Sequence, residues 1–209
     1  KKEEEENQPN KKINLNELDI EPDGAFVVAS DNKIVFCTQG GASGVFVYDA
    51  KGDSMEWIAP YPQDMTPGRN HTYCHHPPSN EIFIFFRKDI IIYNLSTKEW
   101  RKEQSRFATD NYCSSVCIKD QIHIFGGENH HLIYDIHTNT MKKSDIEFEN
   151  ELQYLRCVAA SHDTVFVAGG YEDYTHLDTL YSVSVSTNGA TIEHKYKMPK
   201  PLCDFGCVC

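Results

Sequence analysis

Ile122-His123-Ile124-Phe125-Gly126-Gly127 leads into Leu132-Ile133-Tyr134-Asp135, a short apolar run closed by two glycines and then a second run that ends in Tyr-Asp. The same phrase returns as Val165-Phe166-Val167-Ala168-Gly169-Gly170 and Leu180-Tyr181-Ser182-Val183. Its register extends over the chain: Tyr48-Asp49, Tyr93-Asn94, Tyr134-Asp135 and Val183-Ser184 hold one slot, at separations of 45, 41 and 49 residues. Trp57 and Trp100 follow their tyrosines by nine and seven residues, with Met141 and Ile192 in the corresponding places. A period of that length has room for about four short strands per unit.

The apolar runs are too short for helices, are bounded by Gly, Asp, Asn and Pro, and carry the β-branched and aromatic residues that suit a pleated surface. No run approaches the roughly 20 apolar residues of a membrane helix. No positively charged start with an apolar core reads as a secretory signal. The expected class is all-β, a chain of sheets stacked one repeat after another.

These units resemble kelch repeats, the blades of a β-propeller. In that family a Pro-Arg-like pair precedes the inner strand, Gly-Gly closes the second, the third carries Tyr-Asp and the fourth carries Trp. Copies three and four match the glycine slot. Copy one keeps Gly40-Gly41 and Trp57 with two extra residues before the glycines, copy two has Phe86-Arg87 in place of the pair, and copy four lacks the Tyr and the Trp. The resemblance covers roughly residues 25 to 209. It implies units over 25–62, 66–103, 107–148 and 154–197, with the start of a fifth over 198–209. Because propellers need about four to eight blades to close, the expectation is an incomplete ring of four-stranded blades. Residues 1–24 carry four Lys against eight acidic residues and almost no apolar cluster. They read as an acidic, disordered linker, with an acidic interaction tail as the alternative.

Physical reasons accompany the pattern. A backbone that turns sharply where blades crowd one another favours residues that tolerate positive φ and lack a Cβ, so the loss of glycine in copy two predicts a distorted blade. Tyr48, Tyr93, Tyr134, Trp57 and Trp100 are expected in the core between sheets. Cys74 and Cys157 share a repeat position, and Cys113 and Cys117 fall in one inner strand, which suggests packing by reduced thiols in the cytoplasm. Cys203, Cys207 and Cys209 fit strand alternation better than a metal half-site, since no Cys-x-x-Cys has a matching second pair. His75-His76 and His130-His131 read as histidines of rim loops rather than metal ligands, because strand neighbours point to opposite faces. Asn70-His71-Thr72 and Asn94-Leu95-Ser96 fit the glycosylation sequon, which matters only in a secreted protein.

No Gly-x-Ser-x-Gly elbow, phosphate loop or His-Glu-x-x-His is present. Tyr48-Asp49-Ala50-Lys51-Gly52 resembles the Asp-box turn of sialidases but places its glycine one residue too late. No catalytic residue, metal or cofactor is expected. A net charge of −11 argues against nucleic acid or an anionic membrane as partner and fits a basic protein surface or peptide.

The resemblance implies a non-enzymatic module that binds a partner protein or peptide at one rim, as a substrate adaptor of cullin-RING ubiquitin ligases or as an actin-associated scaffold. The alternative is a piece of a galactose-oxidase-like or sugar-processing propeller enzyme. In such a rim, the loops between second and third strands and the linkers into each inner strand carry the contacts. Here those residues are Arg69, Asn70 and His71 in one linker, Arg87 and Lys88, Asn129 and His130, and Tyr171, Tyr174 and His176. Ser43, Asp110, Asn111, Tyr112 and Asp173 lie in the same loops. The fourth loop, Tyr171 to Asp178, is the longest: 13 residues separate Gly170 from Val183, against 7 from Gly127 to Tyr134.

Overall fold

Every side chain from Glu81 to Phe85 is buried. On a pleated strand successive residues face opposite ways, so Ile82 and Ile84 point to one side and Phe83 and Phe85 to the other, and only a strand covered on both faces has that pattern. The computed structural model describes residues 25–29, 33–38, 44–65, 71–109, 112–128, 131–149 and 152–203, and among them the covering layers are further antiparallel sheets.

The strands, in chain order, are β1 Ala25–Ala29, β2 Lys33–Thr38, β3 Gly44–Asp49, β4 Ser54–Pro60, β5 Thr72–His76, β6 Glu81–Asn94, β7 Glu99–Thr109, β8 Ser114–Ile118, β9 Gln121–Phe125, β10 His131–Asp135, β11 Thr140–Lys143, β12 Arg156–Ala159, β13 Thr164–Ala168, β14 Tyr171–Glu172, β15 Thr175–His176, β16 Thr179–Ser186 and β17 Gly189–Lys197. They form the sheets β1-β2-β3-β4, β5-β6-β7, β8-β9-β10-β11 and β12-β13-β16-β17, with β14-β15 as a separate small hairpin. Each sheet is a meander whose first strands β1, β5, β8 and β12 lie beside one another in order. One turn of 3-10 helix, Pro77–Ser79, joins β5 to β6. Among the described residues no helix is long and apolar enough to cross a membrane.

Among the described residues three apolar cores separate the sheets. Val35, Cys37, Val45, Tyr61, Ile82, Ile84, Ile91 and Tyr93 fill the first interval. Cys74, Phe83, Phe85, Ile90, Ile92, Ile122, Ile124, Tyr134 and Met141 fill the second. Phe125, Phe148, Leu152, Leu155, Val165, Val167, Tyr181 and Val183 fill the third. Each sheet is therefore held by its sequence neighbours, the quasi-one-dimensional logic of repeat proteins. Hydroxyls also bridge the inner strands: Ser115 Oγ donates to the Tyr73 carbonyl at 2.8 Å, and the Cys157 N–H donates to Ser114 Oγ at 3.1 Å.

The Tyr-Asp slot has two jobs. Asp49 Oδ1 accepts the N–H groups of Lys51 and Gly52, Asn94 Oδ1 those of Ser96 and Thr97, and Asp135 Oδ1 that of Thr138. These Asx turns reverse the chain between third and fourth strands. The tyrosine goes between sheets: Tyr134 packs on Phe83 and Phe85, and its hydroxyl donates to Glu103 Oε2 of β7 at 2.9 Å. Tyr93 is likewise buried and packs on Trp100. The first copy departs from the expected core role. Tyr48 is half-buried and donates locally to Asp53, and Trp57 is 41% exposed, edge-on to Phe46. No described sheet covers that side of the first sheet.

Copy two is altered in a definite way. The Leu95 N–H donates to the Asn80 carbonyl at 2.9 Å, so the two ends of β6 are adjacent, whereas a straight strand of 14 residues would hold them roughly 45 Å apart. β6 is folded back on itself, and the reversal falls at Arg87-Lys88. Arg87 has φ 55°, the positive value that the first position of a type II′ turn requires. Copy two dispenses with Gly-Gly by shortening the loop to a two-residue turn.

Candidate functional site

The glycines locate the rim. The Gly127 N–H donates to the Leu152 carbonyl at 2.9 Å, and the Gly170 N–H donates to the Leu202 carbonyl at 2.8 Å. In the third and fourth sheets the second-to-third-strand loop is thereby tied to the linker that follows the sheet. Gly126 and Gly170 have φ +110° and +119°, and a Cβ would fall 2.7 Å from the Leu152 carbonyl oxygen and 2.9 Å from that of Gln153. Close backbone approach and positive φ both demand glycine there. Loops and linkers therefore meet at one end of the sheets. In copy two the Thr109 hydroxyl, at the end of β7, donates to the Arg87 carbonyl at 3.1 Å, a tie within the second sheet.

A row of aromatic rings crosses this end over the third and fourth sheets. Tyr112 and Tyr154 occupy the same place in successive linkers, each two residues before its inner strand, with φ 66° and 55°. Their rings stack at 3.6 Å, and the Tyr154 N–H donates to the Tyr112 carbonyl at 3.0 Å. Tyr171 sits edge-on to Tyr154 at 6.1 Å and against His176 at 5.4 Å. The Tyr171 N–H donates to the Gln153 carbonyl at 2.7 Å, which fixes the small hairpin to the linker.

That hairpin is built tightly. β14 and β15 pair Tyr171 with His176 and Glu172 with Thr175, leaving Asp173-Tyr174 as a two-residue turn with φ 44° and 63°. Positive φ at both positions is the type I′ signature, normally filled by Asn-Gly. A tyrosine held there costs about 1–2 kcal/mol relative to glycine. Tyr174 is 95% exposed, so no burial within the described residues offsets that cost. A hollow of about 290 Å³ beside the turn is lined by Gln153, Tyr171, Glu172, Asp173 and Tyr174.

The residues anticipated from sequence divide into groups. Tyr171, Tyr174 and His176 come together on the hairpin. Arg87 and Lys88 form the exposed turn of β6, where the Arg87 guanidinium lies 5.3 Å from the Phe86 ring centre. His71 is half-buried in its linker, 6.1 Å from the Tyr73 ring. Arg69, Asn70, Asn129 and His130, with Ser43, Asp110 and Asn111, lie outside the described residues. Tyr154 and Gln153 went unnoticed in the sequence, although Tyr154 repeats Tyr112 at an interval of 42 residues.

Other sequence readings are corrected. His75 and His76 are not rim-loop residues: both are buried in β5. His76 bonds Ser79 Oγ at 2.7 Å and reaches Asp120 of the next sheet at 3.3 Å. His131 also is core. It opens β10, stacks on Phe125 and His123, and its Nε2 lies 3.1 Å from His123 Nδ1. Burial pushes His131 down to about 3, with His123 adding to the effect, and burial with nearby Lys142 takes His123 to about 4. The Asn94 side chain binds Glu81 and the loop amides of Ser96 and Thr97, so that sequon is occupied structurally. Cys74, Cys113 and Cys157 are buried and Cys117 is half-buried, all as thiols rather than disulfides. Among the described residues no group of three His, Cys, Asp or Glu side chains could hold a metal ion.

No protein-family model matches the chain, and no curated protein matches it. Among solved structures, that of YjhT is similar over 87% of this chain and 66% of that one, with a TM-score of 0.69 and 12% identity. The chain spans about two thirds of YjhT's length, and at that identity the likeness is one of fold alone.

Proposed function

We propose that this chain is part of a kelch-type β-propeller and acts as a non-enzymatic module that binds a segment of a partner protein at the rim described above. The observation that carries the reading is Tyr174: a large aromatic kept fully exposed at the tip of a turn whose backbone favours glycine. Strain retained at an exposed position is explained by use rather than by packing. Exposed Tyr on a hairpin that also carries Tyr171 and His176 is the kind of residue that commonly anchors an interface. The Leu202 carbonyl, which repeats the tie made by Leu152, supports a further unit beginning near residue 198 and so a larger ring. The fold hosts many functions, and adaptor of a cullin-RING ligase or actin-associated scaffold are the settings proposed for this one, in the cytoplasm.

The test is to capture partners from lysate with the wild-type chain and with Tyr174→Gly. Glycine suits the turn, so the variant should fold at least as well and lose the captured protein. Equal capture by a folded Tyr174→Gly and by a folded Tyr171→Ala would remove this rim as the site.

A further inference from the structure

Two cysteines meet where the second sheet joins the third, and the contacts on either side of them fix the register. The inner strands β5 and β8 lie side by side. At one end Thr72 Oγ1 and Ser115 Oγ are 2.9 Å apart, and at the other His76 Nε2 reaches Asp120 Oδ1 at 3.3 Å. Residues two apart on a strand share a face, so Cys74 stands on the face of Thr72 and His76, and Cys117 on that of Ser115. The two cysteines therefore occupy the step between those contacts. Both border the second apolar core, Cys74 within it and Cys117 packed against it. A cysteine Sγ sits one bond beyond Cβ, as the Oγ of Thr or Ser does, so a register that brings hydroxyl oxygens to 2.9 Å also brings sulfur atoms within reach of a bond.

The two thiols differ in access. Cys74 is buried, whereas Cys117 is half-buried and donates to the Lys119 carbonyl at 3.3 Å. A hydrogen bond with the Cys117 thiol, ahead of burial, holds the Cys74 thiol well above the usual range. Cys74 thus keeps its proton, and Cys117 is the group that a reagent from solvent meets first. Cys113 and Cys157 are placed differently: Cys113 Sγ donates to the Gly126 carbonyl and Cys157 Sγ to Ser114 Oγ, each at 3.4 Å.

We infer that Cys74 and Cys117 are a redox-sensitive pair that closes into a reversible disulfide between the second and third sheets. The oxidant is a small-molecule disulfide of the glutathione class. Cys117, as its thiolate, attacks one sulfur of the reagent, forming a mixed disulfide and releasing one small thiolate. Cys74 passes its proton to that thiolate and attacks Cys117 Sγ, which releases the second small thiolate, and this takes up the proton that Cys117 gave to solvent. Two cysteine thiols lose two electrons, and the reagent gains them and leaves as two thiols. The bond joins residues 43 positions apart in the chain, so it restricts the unfolded state, and it pins together two sheets that otherwise share only noncovalent contacts.

The test uses the full 209-residue chain carrying Cys203→Ser, Cys207→Ser and Cys209→Ser, which removes the C-terminal thiols. The folded protein is incubated with oxidised glutathione, remaining thiols are blocked with N-ethylmaleimide, and the linkages are mapped by mass spectrometry. The expected result is a peptide pair joined through Cys74 and Cys117, reopened by dithiothreitol, with a melting temperature at least about 5 °C above that of the reduced protein. Adding Cys74→Ser or Cys117→Ser should each abolish both the linkage and the shift, while adding Cys157→Ser should leave both. Serine suits this register, where Thr72 and Ser115 already pair their hydroxyls, and melting curves of the reduced variants confirm that each folds. A disulfide that maps to other cysteines would overturn the inference. So would glutathione left as a stable adduct on Cys117, thiols that stay unreacted in the folded protein, or a linked form that melts no higher than the reduced one.

Discussion

Single residues decide how this chain can turn. At Gly126 a Cβ would fall 2.7 Å from a backbone oxygen at φ +110°, so both sterics and conformation resist any side chain. Gly126→Ala is expected to cost about 2 kcal/mol or more, seen as a lower melting temperature. Gly189→Ala is its control: the added methyl meets only Ser144 Oγ at 3.8 Å, so the melt should hardly move. The buried pair His123 and His131 makes a different prediction. Folding holds both neutral down to about pH 4 and 3, while in the unfolded chain they take protons near pH 6.5. Between these limits the unfolded state binds more protons, so stability falls as pH drops from about 6.5 towards 4. Urea midpoints at pH 7 and pH 5 should differ, and His131→Phe, which keeps the ring on Phe125, should shrink the difference. An unchanged difference would place the proton uptake elsewhere.

At the scale of the element, the turns distinguish economy from use. Arg87 and Tyr174 both hold a non-glycine residue at positive φ in a two-residue hairpin. Arg87→Gly should therefore stabilise the second sheet by about 1 kcal/mol, raising the urea midpoint, and Tyr174→Gly should do the same for the fourth sheet's loop while removing binding. If neither substitution stabilises, the turns are not strained and the argument from Tyr174 to function weakens. Much of this level was legible beforehand. Gly-Gly marked the loops, and the Asp or Asn after each tyrosine marked the next turn, because a short polar side chain that bonds its own backbone is a local feature. The reading of His75-His76 and His131 as loop residues failed because polarity was taken for exposure. His76 is satisfied by Asp120, which lies 44 residues away, and no local rule reports such a partner. Tyr154 was missed for a related reason: its kinship with Tyr112 is plain only once their rings are seen stacked.

Across the whole molecule, stability should be distributed along the stack rather than shared equally. Phe83, buried between the second and third sheets, touches the core that joins the two halves. Phe83→Ala should cost about 3–5 kcal/mol and lower hydrogen-exchange protection in both neighbouring sheets. Val183→Ala, in the interval between the third and fourth sheets, should loosen the fourth sheet most and leave β1 to β4 nearly unchanged, since those strands share no core with it. Uniform loss of protection in both variants would mean that the sheets unfold as a single unit.

The repeat determined the class of fold by itself. Short β-branched and aromatic runs bounded by turn residues, glycine at a fixed offset in copies three and four, and a short polar residue after the tyrosine in copies one to three are imposed by the backbone within a few residues, so they leave their mark on the sequence directly. Composition likewise set the charge that a partner meets. What the tertiary structure decided was which of the polar and aromatic residues face outward: His131 inward, Trp57 partly outward, and Tyr112, Tyr154, Tyr171 and Tyr174 gathered at one end from two linkers and a hairpin. Those residues are separated by up to 62 positions in the chain. Their proximity comes from stacking one sheet on the next, and a relation created by packing between repeats has no counterpart in the pattern of any single one.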